Sequence, residues 1–309
     1  MFEQGADFFF QAEDGIRDVE RSRGLGDLYK RQALDRLRYN SSREAMLLLG
    51  TLLAMVLPAI LAPAILPSVL VLLLAVLLLT VCLQGSQAAP ASARVLSFRV
   101  LLTDQRTRSL ALPWFTNMLA NAIPGTVLIL FMREVLHAES ELGIVLISYF
   151  LAGLLGVPFW YFLARRVGNL LSWRIGLCSS ALLFSFAALL GEGDVGWFIA
   201  ISIGTGLALG ADQALPSAMQ TALAQTLSKE QGGAVIGARM FALWSMLSKA
   251  AMGLAVGVSY LWLGSQTDGP VPPAWAISAV YVVAPVALKL MVFLMLGRRS
   301  IVAIEGGGQ

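Results

Sequence analysis

Long apolar segments recur along the whole chain, and they restrict its possible folds more than any other feature. A helix that spans a membrane needs about 20 mainly apolar residues, and eight segments of roughly that length are present. They lie at about 45–62, 66–84, 110–132, 143–164, 170–190, 195–215, 237–262 and 275–297. Only 13% of the 309 residues are charged, about half the share of about 25% in a soluble protein. The pattern predicts an all-α integral membrane protein and argues against a soluble enzyme.

The charged residues between these segments predict how the chain is oriented. Lysine and arginine collect in every second connection, and the intervening connections are mainly acidic. The basic connections contain Arg36, Arg38, Arg43, Arg94, Arg99, Arg106, Arg108, Arg165, Arg166, Arg174, Lys229, Arg298 and Arg299. Because basic connections stay in the cytoplasm, we expect a multi-pass protein of the cell inner (plasma) membrane with both chain ends cytoplasmic. The lipid bilayer is then its main partner, and the small net charge of +3 does not indicate nucleic-acid binding.

The N-terminal region differs from the rest of the chain. Residues 8–32, which read FFFQAEDGIRDVERSRGLGDLYKRQ, have no sustained apolar period and resemble a translated sequencing-adapter artefact. We therefore expect residues 1–32 to be a non-native tail, the alternative being a cytosolic amphipathic tail. The rest divides into two spans at 33–84, a cytoplasmic central loop at 85–109, a six-helix bundle at 110–300 and a tail at 301–309. Two spans followed by six are what a twelve-span transporter of two halves would show without its first four spans.

Lys249 is the most unusual charged residue, because it lies near the middle of the seventh apolar segment. It is about 16–20 Å from either end of a helix there, and a lysine side chain of about 6 Å does not reach the interface. A charge at this depth costs about 2.5–3.5 kcal/mol on insertion scales and marks a candidate functional residue. We expect it to face protein or a water-filled cavity and to act in substrate binding or coupling. The alternative is a structural lysine that is paired inside the bundle.

Small residues recur every four positions on two of the segments. Gly253 and Gly257 follow this lysine on the same helix face and form a GxxxG motif, which lets a neighbouring helix approach closely. Ser202, Gly206 and Gly210 form a similar stripe on the sixth segment. Both stripes predict helix–helix packing.

Three further charged residues lie in or beside the apolar segments. Asp212 is near the cytoplasmic end of the sixth segment, which we expect Pro216 to distort. Asp212 lies about 10 Å nearer the cytoplasm than Lys249, so the two pair only if helix tilt closes that gap; otherwise Asp212 is a gate or cap carboxylate. Arg239, at the start of the seventh segment, is a candidate gate or cytoplasmic anchor. Lys289, about 13 Å from the cytoplasmic end of the last segment, is expected to snorkel.

Amide and aromatic side chains complete the candidate binding residues. Asn117 and Asn121 share one face of the third segment, where they would bind sugar hydroxyls or hydrogen-bond to a neighbouring helix. Tyr149 and Trp160 are candidates to stack on a pyranose ring, and Trp244 is a candidate cavity-lining residue one turn from the central lysine. Trp160 has the position of an aromatic-belt residue, and packing is the alternative for all three aromatic side chains.

The sequence carries no signature of a bound cofactor or metal. The single histidine, His137, lies in a connection, and Cys82 and Cys178 are isolated in apolar segments, where they are expected to pack as small apolar residues. No Walker A motif and no strand-turn-helix GxGxxG is present. We therefore expect no cofactor and no direct use of ATP, and coupling to an ion gradient is the mode that membrane helices alone can support.

Five stretches carry a resemblance to a known family: YFLAGLLGVPFW, ARRVG, GLALGADQALPSAMQ, FALWSMLSKAAMGLAVG and APVALKL. Together they resemble the carboxy-terminal half of the glycoside–pentoside–hexuronide:cation symporter family, the melibiose-permease-like branch of the major facilitator superfamily. The resemblance covers about residues 98–297. It implies a truncated major-facilitator fold and secondary active symport of a sugar or glycoside with Na⁺ or H⁺, by alternating access between two six-helix halves.

The resemblance also implies roles for individual residues. In that family a lysine of the eleventh helix lies near the ion and sugar site, and Lys249 matches its motif position. Asp212 matches a motif aspartate of the tenth helix. The family's cation-binding aspartates lie mainly on the second and fourth helices, which the truncation is expected to remove, so no metal ligand is assigned. Lys249 is expected to act as a mobile counter-charge that neutralises carboxylates until the cation binds, and the full-length carrier is expected to be monomeric.

Three other functions remain open at this point. A transporter of the same fold could move lysolipids or other amphiphiles through an apolar lateral opening. A membrane scaffold without transport is a second alternative, although it gives Lys249 no role. An integral membrane enzyme would need His, Asp or Ser side chains clustered at one depth, and the single histidine and scattered acids argue against it.

Overall fold

The computed structural model describes residues 41–42, 45–53, 98–231, 236–267, 269 and 271–297 of the chain. The predicted tails at 1–32 and 301–309 lie outside these residues, as do the whole second predicted span and the second half of the first. Residues 45–53, at the start of the first predicted span, are helical.

From residue 98 onward, the described residues form a series of helices joined by short connections. The α-helices are α1 (Phe98–Thr103), α2 (Gln105–Glu134), α3 (Leu142–Val167), α4 (Asn169–Ser185), α5 (Val195–Glu230), α6 (Gly237–Ser265), α7 (Ala274–Ser278) and α8 (Ala284–Met295). A 3-10 segment precedes α3 and another follows α4, and a π-helical segment, Ala279–Val283, joins α7 to α8. The described part of the chain contains no β-strand.

Six helical stretches are long and apolar enough to cross a membrane. They are Gln105–Glu134, Glu139–Val167, Asn169–Leu189, Val195–Glu230, Gly237–Ser265 and Ala274–Met295. Each coincides with one of the last six predicted spans, which confirms the predicted all-α membrane class. The alternating course of the six helices puts the start of α2, the end of α5 and the start of α6 at one end of the bundle, the end that the charge pattern predicts to be cytoplasmic.

The sixth predicted span is longer than the sequence indicated. We expected a distortion at Pro216, but α5 is helical through this proline and continues to Glu230. A proline inside a helix removes one main-chain donor, and this loss is offset by packing on both sides of it. Leu215, Met219 and Leu223 are all buried in the same apolar core.

Two large apolar cores lie within the described bundle, one near each end, together with a smaller cluster of Leu48, Val157 and Leu209. The first core, near the predicted cytoplasmic end, is formed around fully buried side chains such as Trp173 and Leu215. The second core is formed around Phe131, Phe198 and Tyr281, and the rings of Phe131 and Tyr281 stack with their centroids 4.1 Å apart. The two cores meet near the middle of the spans, and the polar side chains of the candidate site lie at this boundary.

The stripe of small residues on α5 packs as predicted. A Cβ atom placed on Gly210 would lie 2.8 Å from the backbone nitrogen of Val157 in α3. A Cβ atom placed on Gly206 would collide with the carbonyl oxygen of Tyr149, which is also in α3. The α3 and α5 backbones therefore approach so closely that only glycine fits at these two positions.

Candidate functional site

A buried ion pair lies at the boundary between the two cores. The Nζ atom of Lys289 in α8 is 2.8 Å from the Oδ2 atom of Asp212 in α5. The two side chains are only 6% and 3% exposed. Ionisable side chains inside membrane helices are costly unless they are paired, so this pair is the main candidate for a functional or organising role within the bundle.

Two further side chains donate hydrogen bonds to the Asp212 carboxylate. The indole Nε1 of Trp173 in α4 donates to Oδ1 over 3.0 Å, and Nδ2 of Asn121 in α2 donates to Oδ2 over 3.2 Å. Together with the Lys289 ammonium, three donors surround the carboxylate. Because an ionised carboxylate is acceptor-only whereas a protonated one must also donate, this set of donors matches the charged form of Asp212.

Asn117 contacts the same ion pair from its cationic side. Its Oδ1 atom accepts a hydrogen bond from Nζ of Lys289 over 3.4 Å. The Asn117 side chain is completely buried, and its Nδ2 atom has no hydrogen-bond partner among the described residues. Of the two roles predicted for Asn117 and Asn121, the structure shows the bonds to neighbouring helices.

Helical periodicity explains how these side chains meet. The two asparagines are four residues apart on α2 and therefore share one face. On α8 the buried residues are Pro285, Lys289 and Val292, which are spaced by four and three residues along one face. Pro285 has no N–H to continue the helix ladder, and the residues before it form the π-helical segment Ala279–Val283. Such π-helical turns are frequent near functional sites.

The ion pair corrects the predictions for three charged residues. Lys289 does not snorkel, because a carboxylate within reach inside the bundle offsets the cost of burying its ammonium. Asp212 is buried in the bundle interior and is not a cap at its surface. The sequence suggested Lys249 as a partner for Asp212. In the structure the partner of Asp212 is Lys289, and Lys249 lies on another face of the bundle.

Lys249 is exposed on an open face of α6, and no hydrogen bond or ion pair joins it to the part of the chain that the structure describes. It lines an open depression of about 680 Å³, a volume within the range of about 300–1,000 Å³ of small-molecule sites. The lining residues are Phe241, Ala242, Ser245, Met246, Lys249 and Ala250, all from α6. Along α6, Lys249 follows residues of the first core and precedes residues of the second, so it lies near the level of the ion pair.

The GxxxG motif of α6 lies on the same open face. A Cβ atom placed on Gly253 or Gly257 would have no neighbouring atom within 4 Å. The close helix partner predicted for this motif is therefore not found within the described residues. This open face of α6, which contains Ser245, Lys249, Gly253 and Gly257, is called the lysine face below.

The other predicted site residues lie outside the polar cluster. Tyr149 is partly buried, with its ring edge-on to Phe150 at a centroid distance of 5.2 Å. Trp244 is buried in the first core and does not line the depression, and its Nε1 atom has no partner within the described residues. The guanidinium carbon of Arg239 lies 5.3 Å from the centroid of the Phe98 ring, a contact that joins the start of α6 to α1.

Trp160 is buried, and the prediction that it belongs to an aromatic belt is wrong. Its side chain is 4% exposed, and its Nε1 atom donates a 2.7 Å hydrogen bond to the carbonyl oxygen of Leu207 in α5. The small residues of α5 bring that carbonyl within reach of the indole. Packing was the alternative considered for this residue, and the structure confirms it.

Sequence reasoning missed two members of the polar cluster. For Lys289 a usable signal existed, because its spacing from Pro285 and Val292 places it on a helix face that is otherwise apolar. For Trp173 no such signal existed, since its contact with Asp212 depends on how α4 packs against α5.

Comparison with known proteins identifies the family of the chain. A family model described as "MFS/sugar transport protein" matches residues 27–302. This match includes all six candidate spans, the Asp212–Lys289 cluster and the lysine face. No curated protein shows a significant match to the chain. The chain therefore belongs to the MFS/sugar transport protein family of multi-pass membrane transporters.

Proposed function

We propose that the chain functions in secondary active transport, carrying a sugar or glycoside together with Na⁺ or H⁺ by alternating access. The family match supports the coarser part of this statement, a membrane transporter of the sugar-transport class. One observation supports the finer part. Lys249 presents an ammonium group on an open helix face, beside a depression large enough for a small molecule.

The proposed role of Lys249 follows from its lack of a partner in the described part of the chain. A cation on a membrane helix needs an opposing charge or water, and no carboxylate of the six described spans forms an ion pair with Lys249. We take this face as one wall of the transport cavity. Lys249 then neutralises carboxylates across the cavity while no Na⁺ or H⁺ is bound and releases them when the cation arrives, which shifts the balance between two conformations.

The Asp212–Lys289 cluster has a different role in this proposal. Its two charges are buried and paired with each other, and the Asp212 carboxylate accepts hydrogen bonds from three donors, so neither charge is free for a solute. It joins α2, α4, α5 and α8 and supports the movement of these helices as one body during alternating access. Solute binding is assigned to the lysine face, where Ser245 adds a hydroxyl one turn from Lys249.

Gradient-driven uptake tests the proposal. The chain, together with any coding sequence that precedes residue 33 in its gene, is expressed and assayed in vesicles with labelled galactosides, pentosides and hexuronides. We expect accumulation of at least one solute under a Na⁺ or proton gradient and its loss in Lys249→Ala. Met252→Ala, which alters another exposed residue of α6, is the matched control. Unchanged gradient-dependent uptake by Lys249→Ala would contradict the assigned role.

A second candidate function is transport of an anionic amphiphile. The depression beside Lys249 also contains the apolar side chains of Phe241 and Met246, which suit an acyl chain next to an anionic headgroup. Uptake of a labelled lysophospholipid without any sugar uptake would favour this alternative.

A further inference from the structure

We propose that Asp212 and Asn117 form a binding site for a monovalent cation, and that the ammonium group of Lys289 occupies this site as a tethered cation. The site lies in the bundle interior, and its charge balance is the same whichever solute is carried. Lys289 Nζ contacts Oδ2 of Asp212 at 2.8 Å and Oδ1 of Asn117 at 3.4 Å.

The chemistry of these ligands suits a small cation of single charge. Carboxylate and amide oxygens are the ligands that hard cations prefer. The oxygen of Asn117 must face the ammonium, because the reversed amide would set its NH₂ donors against a group that has no acceptor. The single carboxylate balances a single positive charge. No group of three or more His, Cys, Asp or Glu side chains within the described residues is suited to hold a metal ion, so a divalent ion would lack matching charge.

The carboxylate ligand is held in place without Lys289. Trp173 and Asn121 approach the Asp212 carboxylate from α4 and α2 and fix its orientation. Removal of the ammonium would therefore leave an oriented, buried carboxylate that needs a new counter-charge.

The wild-type chain and a variant that lacks the Lys289 ammonium should therefore differ in how their stability responds to dissolved cations. In the wild-type chain the counter-charge is covalently attached, so its stability should be indifferent to the identity of the monovalent cation. In Lys289→Ala the emptied site should bind Na⁺, Li⁺ or K⁺ from solution, and binding to the folded state alone raises its stability.

The experiment measures the thermal unfolding midpoint of the purified full chain in detergent at pH 8 and constant ionic strength. The chloride salts of Na⁺, Li⁺, K⁺ and N-methyl-D-glucamine are compared, the last being too large for the site. For Lys289→Ala we expect at least one metal cation to raise the midpoint saturably, by about 5 °C or more. The wild-type chain should shift by less than about 1 °C in the same salts. Lys289→Ala combined with Asp212→Asn should also show no cation-specific shift, because its carboxylate is gone.

Two results would overturn the proposal. The first is a Lys289→Ala variant that folds and has the same midpoint in all four salts. The second is failure of both Lys289→Ala and the longer Lys289→Gln to fold in any salt, since a cation in large excess would then have failed to replace the ammonium. Because the measurement is of stability, it is independent of whether the chain transports sugar.

Discussion

The ammonium group of Lys289 lies 2.8 Å from the carboxylate of Asp212, although 77 positions of the chain separate the two residues. The contact joins α8 to α5, and Asn121 and Trp173 extend it to α2 and α4. Four of the six spans therefore meet at one pair of buried charges. If either charge is removed, the other remains buried without compensation, which is more costly than losing the pair as a whole.

Loss of one member of this pair should be more damaging than loss of both. Asp212→Asn should lower the free energy of unfolding by about 3–5 kcal/mol, because the Lys289 charge is left uncompensated. The double variant Asp212→Leu with Lys289→Met should lose less than either Asp212→Leu or Lys289→Met alone. Thermal unfolding of the purified proteins in detergent measures the losses of Asp212→Asn, of the two single variants and of the double variant, and strictly additive losses in the double variant would show that the pair is not energetically coupled.

The close approach of α3 and α5 predicts opposite outcomes at two glycines. Gly206→Ala should destabilise the chain by about 1–3 kcal/mol, because the added methyl group collides with the backbone of α3. Gly253→Ala is the matched control. It has no neighbour within 4 Å, and alanine favours a helix by about 1 kcal/mol over glycine. Thermal unfolding midpoints of the two variants test this, and equal midpoints would contradict the packing described for Gly206.

Two buried tryptophans differ in whether their indole nitrogen is bonded. Trp160→Phe removes the hydrogen bond to the Leu207 carbonyl, whereas Trp244→Phe removes an indole whose Nε1 has no partner in the described structure. Since both changes remove similar volume, Trp160→Phe should be more destabilising by about 0.5–1.5 kcal/mol, the net contribution of one hydrogen bond. The comparison is made by thermal unfolding, and an equal or larger loss in Trp244→Phe would contradict it.

An exposed ion pair at the predicted cytoplasmic end should contribute little to stability. The Nη2 atom of Arg106 lies 2.6 Å from the Oε2 atom of Glu230, but the two side chains are 35% and 46% exposed. Glu230→Gln should therefore cost less than about 1 kcal/mol, and the cost should shrink as salt is raised. Unfolding midpoints in low and high salt measure this, and a large cost that is independent of salt would show that the pair is more strongly coupled than its exposure suggests.

The sequence was sufficient to predict the spans but not the direction in which their polar residues point. Each span is recognised from its length and composition, which are local properties, and all six described spans lie where they were predicted. Counting residues along an axis gives depth only. It placed Lys249 near the membrane centre, but it could not show that Lys289, closer to a helix end, turns inward to Asp212.

The helix boundaries and aromatic roles illustrate the same limit. Pro216 lies inside α5 because the residues around it are buried by neighbouring helices, and no local signal contains that packing. Trp160 has the sequence position of an interfacial residue, but it is buried in the bundle, where its indole donates a hydrogen bond to the carbonyl of Leu207 on another helix. In both cases a contact between helices decided the outcome.

The most direct test of the transport proposal is whether the Lys249 position is in contact with water inside the membrane-spanning bundle. In a chain whose native Cys82 and Cys178 are replaced by serine, Lys249→Cys and the buried-site control Ser259→Cys are treated in vesicles with a charged thiol reagent. Thiols react as thiolates, which requires access to water. We predict that Lys249→Cys is modified readily and that Ser259→Cys, from a side chain that is 1% exposed, is not. Equally slow modification of both positions would contradict a water-filled cavity at the lysine face.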